Sequence, residues 1–186
     1  MTGGFKCLHC IHCCFFAQEW ESPIVFPWEK RLLERMLNDA GLRGVFVPVE
    51  AYGPLPGGGC VVVLYRWVVR GFCPFYDSVS RRCMIHELKP LACRMFPLLL
   101  ELPSGRLMLS AACDAVRPPI RGGVERVFPV ELRAAETVLL LYTGVVERLR
   151  SLGLERVDAS KCGGLVDADI YLEMLAGGEG WGVEGD

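Results

Sequence analysis

The sequence predicts an α+β fold: small antiparallel strands and hairpins plus helices around a cysteine-rich metal site, with a helical scaffold towards the C-terminus. Three observations predict it. Nine of the ten cysteines lie in the first two thirds of the chain. Runs of β-branched and aromatic residues alternate there with Pro/Gly loops, the punctuation of short strands. The last third instead repeats its apolar residues at helical spacing. Segregated strands and helices of this kind define α+β rather than a parallel α/β sheet.

The elements follow in order. Positions 7–20 read as a metal-ligand run passing into a short helix that offers Phe15, Phe16 and Trp20 to a core. Pro27 then opens an amphipathic helix. Leu32, Leu33, Met36 and Leu37 recur at helical spacing and Gly41 supplies the stop. Positions 45–49 and 60–70 predict an antiparallel pair of strands across a Pro/Gly-rich loop at 54–59, the second strand delivering Cys73 at its end. Short helical turns are expected over 83–96, where Pro90 can start a helix but not continue one. Positions 98–102 and 106–110 flank Pro103-Ser104-Gly105, a hairpin signal. A long helix is expected over 129–152, ended by Gly153, and a shorter one over 167–176. This reading divides the chain into a cysteine-cluster metal-binding domain (1–120), a helical extension packed on it (121–176) and a flexible tail (177–186) with five glycines in ten residues.

Composition narrows the function. With 186 residues, 52% of them apolar, the chain can bury a core and is not disordered. Its 20 basic and 22 acidic residues leave a net charge of -2, so no global positive field draws in nucleic acid. The apolar stretches fall far short of the roughly 18 residues of a membrane-spanning helix. The N-terminus has no apolar targeting segment. A soluble, cytoplasmic protein is expected, with a protein or small molecule as partner and neither nucleic acid nor membrane.

The densest chemical signal is Cys7-x-x-Cys10-x-x-Cys13-Cys14. Thiols at i, i+3 and i+6 can face one centre from a short winding, the spacing that iron–sulfur and zinc sites share. Adjacent helical residues project about 100° apart, so Cys13 and Cys14 are expected to serve different metal atoms or centres. A second set follows: Cys73, Cys83, Cys93 and Cys113. Eight thiolates suffice for two four-cysteine centres or one larger cluster, with disulfides or unligated buried thiols as the alternative. Cys60 and Cys162 are left over and are expected to be buried as small apolar residues. A compact cysteine run with a remote cysteine beside proline favours an iron–sulfur cluster of the 4Fe–4S type, zinc being the alternative cofactor.

These residues carry a resemblance. Cys7-x-x-Cys10-x-x-Cys13-Cys14, Cys73-Pro74-Phe75, the run from Cys83 through Ile85-His86-Glu87, Lys89-Pro90 and Cys93-Arg94 to Phe96-Pro97, and Cys113 together resemble the YkgJ-like cysteine-cluster proteins. That family is also described as the CxxCxxCC zinc- or iron-chelating domain. It usually has Tyr at the place of His86 and Arg at that of Lys89. The resemblance implies a metal-binding, iron–sulfur protein without fixing its activity; with eight thiols in family order, a redox or transferase-related role is the function expected. Some relatives resemble flagellin lysine N-methylases, which carry the motif in longer chains. Two other readings are a structural-zinc binding module for protein partners and a metal storage or delivery protein.

Other polar residues near the thiols are weighed against simpler roles. His9 and His12 read as solvated spacers, and His86-Glu87 as a surface pair rather than a proton relay. Arg94 is expected to offset the charge of the thiolates and to lower nearby thiol pKa values. The glycines at 57–59 precede a strand and lack the Lys-Ser/Thr ending of a phosphate loop, so they read as a flexible turn. No hydrolase nucleophile motif and no zinc-protease motif occurs.

Overall fold

In the computed structural model, which describes residues 5–116 and 122–178, the chain runs as follows. The first half holds β1 (Phe15–Phe16), β2 (Ile24–Val25), α1 (Pro27–Asp39), β3 (Val45–Gly53), β4 (Cys60–Val68), β5 (Gly71–Phe72), β6 (Tyr76–Asp77), β7 (Arg82–Cys83) and α2 (Leu91–Arg94). The second holds β8 (Leu98–Glu101), β9 (Arg106–Leu109), α3 (Val124–Val127), α4 (Pro129–Ser151), β10 (Glu155–Val157), β11 (Leu165–Asp167) and α5 (Ala168–Gly178). This is the α+β fold that the sequence predicts. Among the described residues no helix is long and apolar enough to cross a membrane. The helix α5 reaches Gly178, two residues into the glycine-rich stretch expected as a tail. Positions 179–186 lie outside the described residues.

Two compact units emerge, each built from two stretches of chain: the described residues up to 25 with 67–143, and 26–66 with those from 144 onward. All eight motif cysteines fall in the first.

In that first unit, three two-stranded ribbons replace one large sheet. The strand β1 pairs with β5, Phe15 opposite Phe72, and β6 with β7, Tyr76 opposite Cys83. The hairpin β8–β9 sets Leu98 opposite Leu109 and turns at Gly105, whose φ of 71° is readily adopted by glycine. A Cβ there would also approach the Leu139 side chain to 3.1 Å. Trp67, Phe75, Leu98, Phe128, Ala135 and Tyr142 supply the buried apolar core. The short helix expected within 7–20 does not form. Cys14 N–H closes a turn onto Ile11 O at 2.8 Å, and the next two residues go into the ladder with Gly71 and Phe72. Only a 3₁₀ turn, Glu19–Glu21, remains. A long-range strand partner has outcompeted local helix propensity.

The second unit is built on a mixed sheet in the order β10-β3-β4-β11, with β10 antiparallel to β3 and β11 parallel to β4. Val61, Val62 and Val63 are successive and fully buried, as expected for a strand covered on both faces. Helix α1 begins at Pro27, and the Glu29 carboxylate accepts the Phe26 N–H at 3.0 Å, satisfying a free donor of its first turn. Leu33 and Leu37, one turn apart, are both buried. From the same helix Arg31 donates to Asp167 at 2.7 Å and pairs with Asp169, while Tyr65 Oη donates to Asp167 at 2.7 Å. Leu33→Ala should therefore cost about 2–5 kcal/mol of stability, lost transfer energy plus a residual cavity, measurable as a lowered urea midpoint.

One sequence expectation fails here. Cys60 and Cys162 are not separate buried thiols but form a disulfide with a Cα–Cα distance of 5.8 Å. The reason is the parallel register. Leu165 lies opposite Cys60, Cys60 N–H donates to Gly164 O at 2.9 Å, and Gly163 N–H donates to Gly58 O at 2.9 Å. The segment leading into β11 is thereby laid along the start of β4.

Candidate metal centre

Cys7, Cys10, Cys13, Cys14, Cys73, Cys83, Cys93 and Cys113 are all free thiols. Cys113 is buried, Cys7 exposed and the rest are half-buried. Backbone pairing explains how distant cysteines meet. Cys73 N–H donates to Cys14 O at 2.7 Å, extending the β1–β5 ribbon, and Met84 N–H donates to Phe75 O at 2.8 Å beside the β6–β7 ribbon. Two short ribbons thus carry Cys13, Cys14, Cys73 and Cys83, and α2 adds Cys93.

The thiols fall into two electrostatic neighbourhoods. Cys13, Cys14, Cys73, Cys83 and Cys93 act on one another, whereas Cys113 senses Cys10 and Cys7. The Cys13 and Cys14 sulfurs are 3.8 Å apart. They sit in a turn rather than a helix, so their sulfurs do not diverge as adjacent helical side chains would. For a metal–sulfur bond of about 2.3 Å, a tetrahedral site has a sulfur–sulfur edge of about 3.8 Å, so this pair can share one ion. Among the described residues no group of three His, Cys, Asp or Glu side chains is close enough to hold an ion as it stands.

The thiols differ in acidity for identifiable reasons. A hydrogen bond from Cys14 holds the Cys13 thiol well below its ordinary value, and the same bond pushes Cys14 upward. Burial pushes Cys73 up to about 11 and also raises Cys83, Cys93 and Cys113. Backbone N–H groups are aimed at several sulfurs, and those on Cys73, Cys83 and Cys113 oppose the rise. His9 N–H donates to Cys7 Sγ at 3.3 Å, with His9 itself at φ 54°. Phe75, Ile85 and Ala115 do the same for Cys73, Cys83 and Cys113. In all four the donor is two residues beyond the cysteine. Such N–H bonds favour the thiolate, the form that binds metal. The donor set is therefore chemically suited to a thiolate-bound metal or cluster.

A family model described as CxxCxxCC, "putative zinc- or iron-chelating domain", matches residues 6–114. The chain belongs to this family. No curated protein and no solved structure matches the chain. The CxxCxxCC domain is thus a zinc- or iron-chelating one, and its span covers all eight free thiols.

Between the CxxCxxCC stretch and α4 lies a cavity of about 530 Å³, lined by Cys7, Cys10, Cys13, Cys93 and Cys113 among others. It brings both sulfur neighbourhoods onto one space. The histidines take minor positions. His12 Nε2 lies 3.4 Å from Asp114 Oδ1, joining the N-terminal run to the residue after Cys113, and both side chains are about half exposed. His86 lines the cavity, and its pKa is held below the ordinary value chiefly by the nearby Lys89 cation.

Arg94 departs from expectation. Its Nε and one Nη donate to the carbonyls of Lys89 and Glu87, each at 2.7 Å. The cation acting on the thiols is Lys89, which favours ionisation of Cys13, Cys83 and Cys93. Sequence adjacency to Cys93 pointed to Arg94, but two of its N–H groups are committed to backbone carbonyls, while the Lys89 side chain comes from the preceding loop. The Lys89-Pro90 pair within the motif was the available signal.

Proposed function

We propose that the thiols of Cys7, Cys10, Cys13, Cys14, Cys73, Cys83, Cys93 and Cys113 supply the ligands of iron–sulfur chemistry of the 4Fe–4S type, four to a cluster with the others as nearby redox thiols or a second centre, and that this cytoplasmic protein performs redox or transferase-related chemistry beside it. The observation that carries this reading is the cavity: about 530 Å³ bounded by five of the eight cysteines is far more space than one ion requires. When bound, such a centre supplies electron transfer or, at an iron with an open position, a Lewis acid. The chain's own contribution is thiolate ligands, N–H groups on four sulfurs, and Lys89 to offset their negative charge.

A structural zinc site is the second reading, favoured by the Cys13–Cys14 separation of 3.8 Å. Metal and acid-labile sulfide analysis of anaerobically purified protein separates the two. Iron with sulfide and broad visible absorption supports the first; colourless protein with stoichiometric zinc rejects it.

Loading should also alter the response to pH. The thiols of Cys73, Cys83, Cys93 and Cys113 have pKa values raised by burial in the metal-free fold. Above the ordinary thiol value, near 9, the folded state holds protons that the unfolded chain has lost. Its stability therefore falls as pH rises from there through about 11, where Cys73 ionises. Ligated thiolates have no proton to lose. Urea midpoints from pH 8 to 11 should accordingly drop for metal-free protein and stay flatter for loaded protein.

A further inference from the structure

The cavity is larger and more varied than its sulfurs account for. Besides the cysteines it is lined by Val130, Glu131, Arg133, Ala134 and Thr137 of α4. Their spacing of i, i+1, i+3, i+4 and i+7 places one face of that helix along the wall. Phe5, Leu8 and Phe96 add apolar surface, and Arg94 joins from α2.

We propose that this cavity binds a small organic anion, a carboxylate or phosphate ester with an apolar body, whose charged group is held between Arg94 and Arg133. The two arginines differ in preparation. Arg94 has its guanidinium anchored by the Lys89 and Glu87 carbonyls, which leaves three of its five N–H donors uncommitted. An anchored guanidinium loses little side-chain freedom on binding and presents the planar fork that suits carboxylate and phosphate oxygens. Arg133, on the helical wall, has no carboxylate within ion-pair distance among the described residues, and neither has Arg94. The remaining lining cation, Lys89, already acts on the thiols. The side chains of Phe5, Leu8, Phe96 and Val130 give a carbon skeleton somewhere to rest. A volume of about 530 Å³ lies within the range of small-molecule sites, roughly 300–1,000 Å³, and an eight-atom cluster would fill only part of it. The anion is thereby brought beside the thiol-lined wall, where a metal centre would meet it. This inference rests on the proposed metal reading for that wall alone.

The test is isothermal titration of the full chain, as purified anaerobically, with phenyl phosphate and phenylacetate as probes and benzyl alcohol as the uncharged control. Metal content is measured on the same samples. Saturable binding of at least one anion is expected, with no binding of benzyl alcohol. Arg133→Gln should weaken the anion roughly tenfold or more with metal content unchanged, and Arg94→Gln should do the same. Because Arg94 also holds two carbonyls, Arg133→Gln is the decisive variant. Metal-poor protein that binds the anion with the same arginine dependence would support the site while defeating the metal reading. Binding of benzyl alcohol as tight as that of the anions, no binding of either anion, or anion binding that Arg133→Gln leaves unchanged would overturn it.

Discussion

Replacing Cys93 by serine, and separately Cys10 by serine, should each strip the metal from the anaerobically purified protein. The two cysteines belong to different electrostatic neighbourhoods, Cys93 with Cys13, Cys73 and Cys83, and Cys10 with Cys113. They nevertheless line the same cavity. Serine is a hard, high-pKa oxygen that replaces a soft thiolate poorly. Disturbing residues that merely hydrogen-bond to metal ligands costs about 10–100-fold in affinity, so loss of a ligand should cost at least about 100-fold. Metal analysis after desalting reads the result. Loss of nearly all metal in both variants joins the neighbourhoods in one assembly. Retention of half in each would show two independent centres and reject the single-cluster reading. Retention of all metal by either variant removes that cysteine from the ligand set. Metal-stripped variants should also be less stable, because the free energy of metal binding is added to that of folding.

Removing the Cys60–Cys162 disulfide, by alanine at both positions, is expected to lower stability by about 4–5 kcal/mol. The bridge spans a sequence separation of 102, and closing a loop of that order restricts the unfolded chain by about 4.7 kcal/mol in the chain-entropy account. For a chain of this size the loss corresponds to a fall in Tm on the order of 10 °C. Calorimetry of the native and variant proteins measures it. Metal content should be unchanged, since the bridge lies in the unit that contains none of the eight motif cysteines. An unchanged Tm would show that the unfolded chain gains little freedom when the bridge is gone. A loss of metal would show that the bridge supports the thiol site as well.

Local pattern carried much of the fold. The helix from Pro27 to Gly41 was legible because its apolar spacing, first-turn proline and terminal glycine all agree, and α1 occupies Pro27–Asp39. The hairpin at Pro103-Ser104-Gly105 and the long helix from position 129 were legible for similar reasons. The short strands β1, β5, β6 and β7 were not. Two-residue ribbons have no periodicity, and they exist because a partner far along the chain satisfies their backbone groups. The same blindness hid β10 and β11, three residues each.

At the site, the cysteine spacing announced thiolate chemistry without the fold, because thiolates are ligands by their own electronic nature. Which cysteines stand near one another was a different matter. Cys13 and Cys14 looked divergent on an assumed helix, yet a turn sets their sulfurs 3.8 Å apart. Lys89, rather than Arg94, acts on the thiols because a loop and not a sequence neighbour places the charge. Cys60 and Cys162 could be paired only once the β4–β11 register was known.

By itself, then, the sequence determined the helices with complete local signals, the α+β class and the presence of a thiol-rich metal-chelating domain. Tertiary structure alone decided which thiols are neighbours, which two are oxidised to a bridge, and which cations are left facing a cavity. The physical reason is range: helix propensity and ligand identity are written within a few residues, whereas a sulfur–sulfur distance depends on backbone hydrogen bonds between segments that the order of residues does not reveal.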